Sequence, residues 1–335
     1  MPRSAPASDG PPQDIAGHLR PVHIRHDLAP ITDLIELCFQ DTIDNQGRAM
    51  LREMRAMAAL GPLLWVFHGL DKALRGLMQG FVWEHDGRIV GNISLYPAGH
   101  DQRWVIANVA VHPEYRRQGI AAALCRAGLG RIQKLGGRGA ILQVDAGNDG
   151  AVALYEDLGF HQQRAFGHWR WHGDRKPAAA RDDAPRLTYL AYHERGPAYD
   201  LIQSARPDAR GGIGWLHPAH RFRRRMSAWG LVMGFLSFDT RETFVLRDAN
   251  RAPRALILTE ARFGSSNLRF DLIAGPGVPA KHHADLLDFV LRRAQRGLRN
   301  AYTEHPADDE TMRARLLERG FLHERTLIHM AQRFE

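Results

Sequence analysis

Residues 107–121 read ANVAVHPEYRRQGIA, and the architecture of the chain can be inferred outward from this stretch. An apolar strand ends at Pro113, a short basic turn follows with one glycine, Gly119, and a helical pattern begins directly after it. Gly119 allows close approach of the backbone to a phosphate, and the N–H groups of the first helical turn have no internal acceptor. The stretch therefore predicts an anion site at a helix N-terminus.

The residues around this stretch predict a mixed α/β fold. A hairpin is expected over 81–95 with a type I′ turn at Asp86 and Gly87, because glycine tolerates positive φ. The order of elements differs from that of a doubly wound dinucleotide-binding fold. The other predicted elements are strands over 21–26, 104–112, 141–145 and 161–171, and helices over 31–39, 48–67, 120–135 and 151–158.

Composition limits the class of protein. A chain of 335 residues suits two domains, and its net charge of +8 suits anionic ligands. The two cysteines indicate no disulfide framework, and no signal peptide or membrane segment is expected, so we predict a cytoplasmic protein. The basic run 221–225 is interpreted as a solvated face, with no nucleic acid partner, and the histidine pairs at 217/220 and 282/283 predict no metal site.

Downstream residues make the anion site more specific. Asn148 follows the strand ending QVD, and residues 154–160 read LYEDLGF. Together with the first stretch, these residues resemble the GCN5-related N-acetyltransferase (GNAT) superfamily over roughly 21–171. The matching positions are Arg116, Gly119, Ala121, Asn148, Leu154, Tyr155, Glu156, Gly159 and Phe160.

The resemblance implies an acetyl-CoA-dependent acyltransferase that needs no metal. The backbone N–H groups of the turn would hold the coenzyme pyrophosphate, the preceding strand and Asn148 would bind the pantetheine arm, and Tyr155 would protonate the departing thiolate. The implied cofactor-binding residues are Val109, Ala110, Val111, Arg116, Arg117, Gln118, Gly119, Ile120, Ala121, Asn148 and Tyr155, of which Tyr155 is catalytic.

One feature departs from the family pattern. A carboxylate often precedes the apolar triplet and serves as base toward the amine, but here that region reads Ile106-Ala107-Asn108. Glu84 and Glu114 are the nearest alternatives in sequence, and a chain of ordered water molecules is the third. The hypothesis at this point is that water removes the amine proton.

The second half of the sequence repeats the first at a constant shift, on which Gly159-Phe160 recurs as Gly320-Phe321. This repeat shift predicts a strand over 268–273, a helix over 281–296 and a strand over 301–306. Without gaps, it replaces the site residues Arg116, Gly119, Ala121, Asn148 and Tyr155 by Gly277, Ala280, His282, Asp309 and Leu316. The sequence therefore predicts two tandem GNAT folds, each a mostly antiparallel twisted sheet flanked by helices, of which the second is degenerate.

The predicted domains are a mobile tail (1–18), an active GNAT domain (19–175), a linker (176–185) and a degenerate GNAT-like domain (186–335). The strand expected over 186–192 is not assigned to either domain. The predicted function is transfer of acetyl from acetyl-CoA to a primary amine of a small molecule or peptide, by direct attack in a ternary complex. The alternative is an acyl-CoA-binding sensor without turnover, and the acceptor and a homodimer stay open. Aromatic residues that could contact the acceptor are Trp65, Trp83, Tyr96, Trp169 and Trp171, with His68.

Overall fold

The computed structural model of the chain describes residues 17–40, 51–52, 54–56, 79–98, 102–173, 185–207, 212, 240–261, 266–297 and 299–334. The chain divides by its contacts into two compact units that alternate along the sequence. Unit 1 comprises Met1–Leu142, Ala153–His161 and Ala331–Glu335, and unit 2 comprises Gln143–Val152 and Gln162–Met330. The domain boundaries given in the sequence analysis, 19–175 and 186–335, stay a prediction. The runs 217–220 and 221–225, most of the helix predicted over 48–67 with Trp65, and also His68 and residues 174–184, lie outside the described residues.

The described part of unit 1 contains a mostly antiparallel sheet. Strands β1 to β4 pair antiparallel in sequence order, and β4 pairs with β5 in parallel. These strands are β1 (His18–Pro21), β2 (Phe81–His85), β3 (Arg88–Pro97), β4 (Arg103–Val111) and β5 (Gly139–Asp145). The helices that contribute residues to it are α1 (Ile24–Phe39), α2 (Ile120–Lys134) and α3 (Asp149–Asp157).

The hairpin and the elements after it confirm the sequence predictions. Asp86 and Gly87 have φ angles of 47° and 73°, the two positive values that a type I′ turn requires. Helix α2 begins at Ile120 as predicted, and Gly136, with φ of 76°, follows its end. Glycine in the left-handed conformation is the usual terminator of a helix.

The strand predicted over 21–26 is wrong, because β1 ends at Pro21 and α1 begins at Ile24. The carboxylate of Asp27 accepts the backbone N–H of His23 at 2.6 Å, and the N–H of Asp27 donates to the carbonyl of His23 at 2.9 Å. Such local bonds at a first turn favour a helix over the extended conformation that alternating polarity indicates.

The described strands of unit 2 pair mostly antiparallel. Among the pairs β7–β8, β8–β9, β9–β10, β10–β11 and β6–β11, only β10 with β11 is parallel. The strands, in sheet order, are β12 (Leu322–Arg333), β6 (His161–Trp171), β11 (Asn300–Pro306), β10 (Asn267–Ala274), β9 (Pro253–Ala261), β8 (Thr240–Arg247) and β7 (Thr188–Tyr189). The helices are α4 (Arg195–Ala205), α5 (Ala280–Arg296) and α6 (Glu310–Glu318).

Strand β7 settles the part of the chain that the sequence left unassigned. Only Thr188 and Tyr189 of the predicted strand 186–192 are extended, and they pair with Val245 and Phe244 of β8. The strand therefore belongs to unit 2.

The predicted internal repeat is confirmed by the bounds of its elements. The repeat shift carries β5 and α3 onto the full lengths of β11 and α6, and Gly159 and Gly320 have φ angles of 86° and 76°. The elements β1–β6 with α1–α3 form the first repeat, and β7–β12 with α4–α6 form the second repeat. Both repeats keep one parallel strand pair in the same place.

The buried cores are apolar. Trp83, Trp169 and Trp171 are at most 7% exposed, so they serve the cores and do not present a surface to an acceptor. Among the described helices, none is long and apolar enough to cross a membrane.

Two buried imidazoles, His305 and His329, give the protein an acid-sensitive stability, and His329 has the lower pKa. His329 is 2% exposed, stacks on Phe166 and accepts an amide hydrogen of Gln143 at Nε2. Burial, with His168 nearby, lowers its pKa to about 3. The unfolded chain binds a proton at this imidazole near pH 6.5, whereas the folded chain does not. The contribution of His329 to the free energy of unfolding should therefore be fully present above pH 6.5 and fall on acidification.

We expect His329 alone to cost about 2 kcal/mol of unfolding free energy between about pH 6.5 and 4.5. The raised pKa of the buried carboxyl of Asp271 acts in the opposite direction. Urea unfolding against pH measures the slope, which should be smaller in His329→Gln, while His161→Gln, which removes an exposed imidazole, serves as control. Equal slopes in wild type and His329→Gln would contradict the assignment.

Candidate active site

The edge of β4 opens where the parallel pairing with β5 ends. The register runs from Arg103 with Gly139 to Val105 with Ile141 and goes no further. Opposite β3, the register shifts by one residue, because Asn92 faces Ala110 while Ser94 faces Ala107. This is a β-bulge, which bends the bulged strand away from regular pairing. Residues 106–111 therefore offer backbone groups to a ligand in place of a strand.

The bulge is held by a polar cluster that the sequence analysis did not predict. Asn108 adopts a φ of 52°, a left-handed conformation that asparagine tolerates better than most residues. Asn92, fully buried, donates from Nδ2 to the Asn108 carbonyl at 3.0 Å, and Asn108 Nδ2 donates to Ser94 Oγ at 3.3 Å. The available signal was two polar residues, Asn92 and Ser94, in an otherwise apolar strand.

Replacing Asn108 by valine should straighten or strain the bulge. A β-branched residue in the left-handed region and the lost hydrogen bond together should cost about 1–3 kcal/mol of unfolding free energy. Binding of a ligand along the β4 edge should weaken as well. Urea unfolding and a binding titration measure both effects. Asn108→Gly keeps the backbone conformation and should retain binding; equal losses in the two variants would contradict this role for the bulge.

The predicted anion turn follows β4. Pro113–Tyr115 forms a 3₁₀ turn, Arg117 and Gly119 have φ angles of 64° and 80°, and Gly119 is the N-cap of α2. In the described part of the chain, the backbone N–H groups of residues 117–122 donate to no protein acceptor. The first acceptor bond of the helix runs from the Ala123 N–H to the Gly119 carbonyl at 3.0 Å. A row of backbone donors at a positive helix end is suited to a phosphate.

Two side chains fix the end of the strand before this turn. Arg116 Nε donates to the Val111 carbonyl at 3.1 Å, and Cys38 Sγ donates to the same carbonyl at 3.3 Å. Arg116 itself is exposed, so the rest of its guanidinium stays available to an anion. Burial raises the pKa of the Cys38 thiol, and that thiol is therefore a protonated donor and not a nucleophile.

Tyr155 lies on α3 and is 7% exposed. Its ring packs edge-to-face on Phe160, with 5.9 Å between centroids. Burial raises the pKa of the phenol well above its usual range, and Cys125 adds to the shift. Burial also raises the pKa of Cys125 to about 12. Both groups are neutral near pH 7, which leaves the phenol as a proton donor.

Asn148 is the N-cap of the same helix, seven residues before Tyr155 and so about two helical turns away. Its Oδ1 accepts the N–H of Ala151 at 3.1 Å. Because the acceptor oxygen is used by the helix, the group available to a ligand is the side-chain NH₂. The family resemblance implied a role for this residue, and helix geometry explains its place.

The two carboxylates considered as bases differ in their surroundings. Glu84 is paired with Arg20, with 2.6 Å from Nε to Oε2, and Arg20 also bonds Asp27. Glu114 has a side chain that is 77% exposed and lies 3.8 Å from His112 Nδ1. Glu84 is therefore held in an ion pair with Arg20, and Glu114 is a solvated carboxylate.

The corresponding turn of the second repeat differs in length. Residues 275–279 join β10 to α5, whereas residues 112–119 join β4 to α2, so the second connection is three residues shorter. The residue correspondence without gaps therefore fails across this turn, although it holds for α6. There Leu316, which is fully buried, stands in the position of Tyr155, and Asp309 caps α6 as Asn148 caps α3.

Comparison with known proteins adds family and fold. Residues 47–160 match the profile of the acetyltransferase (GNAT) family. The mycothiol acetyltransferase of Renibacterium salmoninarum is 36% identical over 83 residues, which cover 25% of this chain and 22% of that protein. The [ribosomal protein bS18]-alanine N-acetyltransferase of Escherichia coli is 44% identical over 55 residues, 16% of this chain and 37% of that enzyme.

A solved structure resembles nearly the whole chain. It is a tandem GNAT protein from the clavulanic acid biosynthesis pathway, with a TM-score of 0.55 at 17% identity, covering 94% of this chain and 98% of that one. At this identity the likeness establishes the fold. The curated relatives are matched over about a fifth to about a third of their own length.

Proposed function

Because the chain belongs to the GNAT superfamily of acetyltransferases, we propose that it moves an acetyl group from acetyl-CoA to a primary amine at a site in the first repeat. The observation that carries the proposal is the row of N–H groups at 117–122, which have no acceptor among the described residues and lie beside the open edge of β4. A coenzyme with a pyrophosphate at one end and an amide-containing arm at the other matches these two features together.

The coenzyme would bind through the backbone. The N–H groups of Arg117, Gln118, Gly119, Ile120 and Ala121 would hold the pyrophosphate, with the Arg116 guanidinium beside it. The backbone of Val109, Ala110 and Val111 would pair with the pantetheine arm as a further strand would, and the Asn148 NH₂ would donate to it. A backbone N–H of the β4 edge would polarise the thioester carbonyl as in an oxyanion hole.

The chemistry would be direct attack. The amine nitrogen attacks the acetyl carbonyl carbon, the carbon–sulfur bond breaks, and the sulfur takes the proton of the Tyr155 hydroxyl. Since Cys38 and Cys125 both have raised pKa values, neither offers the thiolate that a covalent acetyl-enzyme needs. The thiol and the acetylated amine leave, and Tyr155 regains its proton from water.

The amine proton would pass to water. Glu84 is committed to Arg20 and Glu114 is solvated, which supports a chain of ordered water molecules as the base. Glu84→Gln and Glu114→Gln should each keep most of the turnover. A nearly inactive variant with intact coenzyme binding would identify that carboxylate as the base instead.

The second repeat would not turn over acetyl-CoA. Its connection from β10 to α5 is three residues shorter, Pro279 at the N-cap of α5 has no N–H, and Leu316 offers no proton. These changes remove both the backbone donors for the pyrophosphate and the proton donor for the thiolate, which supports a single working site per chain.

The acceptor would be the primary amine of a small molecule or of a peptide. Two relatives are named mycothiol acetyltransferase and [ribosomal protein bS18]-alanine N-acetyltransferase, and the second name gives a protein amine as the acceptor. The alternative function is an acyl-CoA sensor without turnover. The buried, protonated Tyr155 favours the enzyme, because a sensor needs no acid at the thioester sulfur.

The test is release of free thiol from acetyl-CoA over a panel of primary amines. The panel should contain an alanine-terminated peptide, amino sugars, and aliphatic and aromatic amines. We expect turnover with at least one acceptor class well above the hydrolysis rate without acceptor. Tight acetyl-CoA binding without acceptor-dependent thiol release over the whole panel would favour the sensor, and the absence of binding would refute both.

A further inference from the structure

The second repeat contains a gap between two strands in the same place as the open edge of β4. Strands β10 and β11 pair from Asn267 with Asn300 to Arg269 with Tyr302, and the register ends there. In both repeats, therefore, three residue pairs join the parallel strands before they separate. In the first repeat the separated stretch leads to the anion turn. In the second repeat, a side chain of the protein itself lies in this gap.

The occupant is the side chain of Arg206, the residue directly after α4. It is 3% exposed. Its Nη2 donates to the carbonyl of Leu272 at 2.6 Å and to Nδ1 of His305 at 2.8 Å. Leu272 lies three residues beyond Arg269, and His305 lies three residues beyond Tyr302. The guanidinium thus joins β10 to β11 at the level where the strands have separated.

His305 extends this connection to a helix. Since its Nδ1 accepts from Arg206, its proton must lie on Nε2, which donates to Asp309 Oδ2 at 2.9 Å. The other oxygen of Asp309 accepts the N–H of Met312 at the start of α6 at 3.0 Å. Burial lowers the pKa of His305 to about 4, so the imidazole stays neutral and keeps this tautomer. The chain of bonds runs from Arg206 through His305 to α6.

The guanidinium lies among other charged groups of the same unit. The carboxylate of Asp271, 4% exposed, attracts it and lies 3.5 Å from Arg269, whereas Arg164 and Arg269 oppose its charge. Burial lowers the pKa of Arg206 to about 10, so the guanidinium stays charged near pH 7. This buried side chain is costly to displace, because its removal leaves the Leu272 carbonyl and His305 Nδ1 without their donor.

The first repeat lacks this arrangement. At the repeat shift, Leu142, Val144 and Asn148 stand where the second repeat has Thr303, His305 and Asp309. Leu142 and Val144 are at most 6% exposed. With these residues, the first repeat cannot form the Arg–His–Asp connection. The equivalent strand positions are therefore apolar in the first repeat and polar in the second.

We infer that Arg206 closes the coenzyme-type cleft of the second repeat from within, so that this repeat is excluded from binding acetyl-CoA by an occupied cleft as well as by its shortened turn. Arg206 acts as a strand-bridging residue and touches no substrate. The inference uses the proposed function only in taking the first cleft as the coenzyme site.

Hydrogen exchange of the full chain tests the inference. In Arg206→Met, the amides of residues 271–274 and 303–305 should exchange about tenfold faster or more, because two hydrogen bonds from a charged donor are lost. Arg206→Lys keeps the charge but reaches fewer acceptors, and should give an intermediate result if the methionine variant does not fold. Arg241→Met, which removes a guanidinium from a side chain that is 61% exposed, is the matched control and should leave these amides unchanged.

Saturating acetyl-CoA is added to the wild type in the same experiment. New protection should appear at 109–121 and be absent from 270–282. Protection at 270–282, or unchanged exchange in both Arg206 variants, would overturn the inference. If acetyl-CoA protects no residue while the Arg206 effect persists, the closed cleft stands and the proposed function falls.

Discussion

Tyr155→Phe is expected to lower kcat by a factor of about 10² to 10⁴ while the Kd for acetyl-CoA stays within about twofold. Phenylalanine keeps the ring and its edge-to-face contact with Phe160, so the fold should be retained. Only the proton for the thioester sulfur is lost. The measurement is steady-state thiol release with the best acceptor of the amine panel, beside a calorimetric titration with acetyl-CoA.

A matched control separates catalysis from the general effect of removing a phenol. Tyr199 is a half-buried tyrosine on α4 of the second repeat, and Tyr199→Phe should keep full turnover. If Tyr155→Phe retains wild-type kcat, the leaving thiolate takes its proton elsewhere and the assignment of Tyr155 as the acid is wrong. A loss of acetyl-CoA affinity without a loss of kcat would make Tyr155 a binding residue only.

Gly119→Val is the second substitution with a large expected effect. Gly119 has a φ of 80° at the N-cap of α2, a conformation that a β-branched residue adopts only with strain of about 1–3 kcal/mol. Relief of this strain should rotate the N–H groups of the turn away from the pyrophosphate. We expect the Kd for acetyl-CoA to rise about tenfold to a hundredfold, or binding to be lost.

The same helix supplies the control for this variant. Gly136 follows the C-terminal end of α2 with a φ of 76°, and a side chain there would meet no neighbour within 4 Å. Gly136→Val should therefore cost a similar amount of stability and leave the Kd unchanged. Equal losses of affinity in both variants would show that strain in α2, and not the geometry of the turn, controls binding.

The elements that carry the site could be predicted from the sequence because each has a local signal. Helix α2 has an apolar period and a glycine at each end, the hairpin has Asp86-Gly87, and the repeat places β11 and α6 by a constant shift. These signals depend on residues close together in the chain. Two local predictions failed. The strand over 21–26 is wrong because the Asp27 carboxylate favours a helix there, and only Thr188 and Tyr189 of the strand over 186–192 are extended.

The features that could not be predicted depend on residues far apart in sequence. The bulge at Asn108 is held by Asn92, 16 residues away, and the Arg206–His305 bond spans 99 residues. The pairing of β6 with β11 within unit 2 likewise joins distant segments. The alternation of apolar and polar residues along a strand indicates which face is buried but does not specify the partner strand. The shortened turn at 275–279 was not predicted, because the repeat shift was derived from residues that follow the turn and holds only on its C-terminal side.

The central claim is that the chain contains one coenzyme site, in the first repeat. Calorimetric titration of the full chain with acetyl-CoA tests it most directly, because the molar ratio at saturation counts the sites. We predict one acetyl-CoA per chain in the wild type and in Arg206→Lys, and in Gly119→Val a Kd raised about tenfold to a hundredfold or no measurable binding. Two per chain, or one that persists with unchanged Kd in Gly119→Val, would contradict the claim.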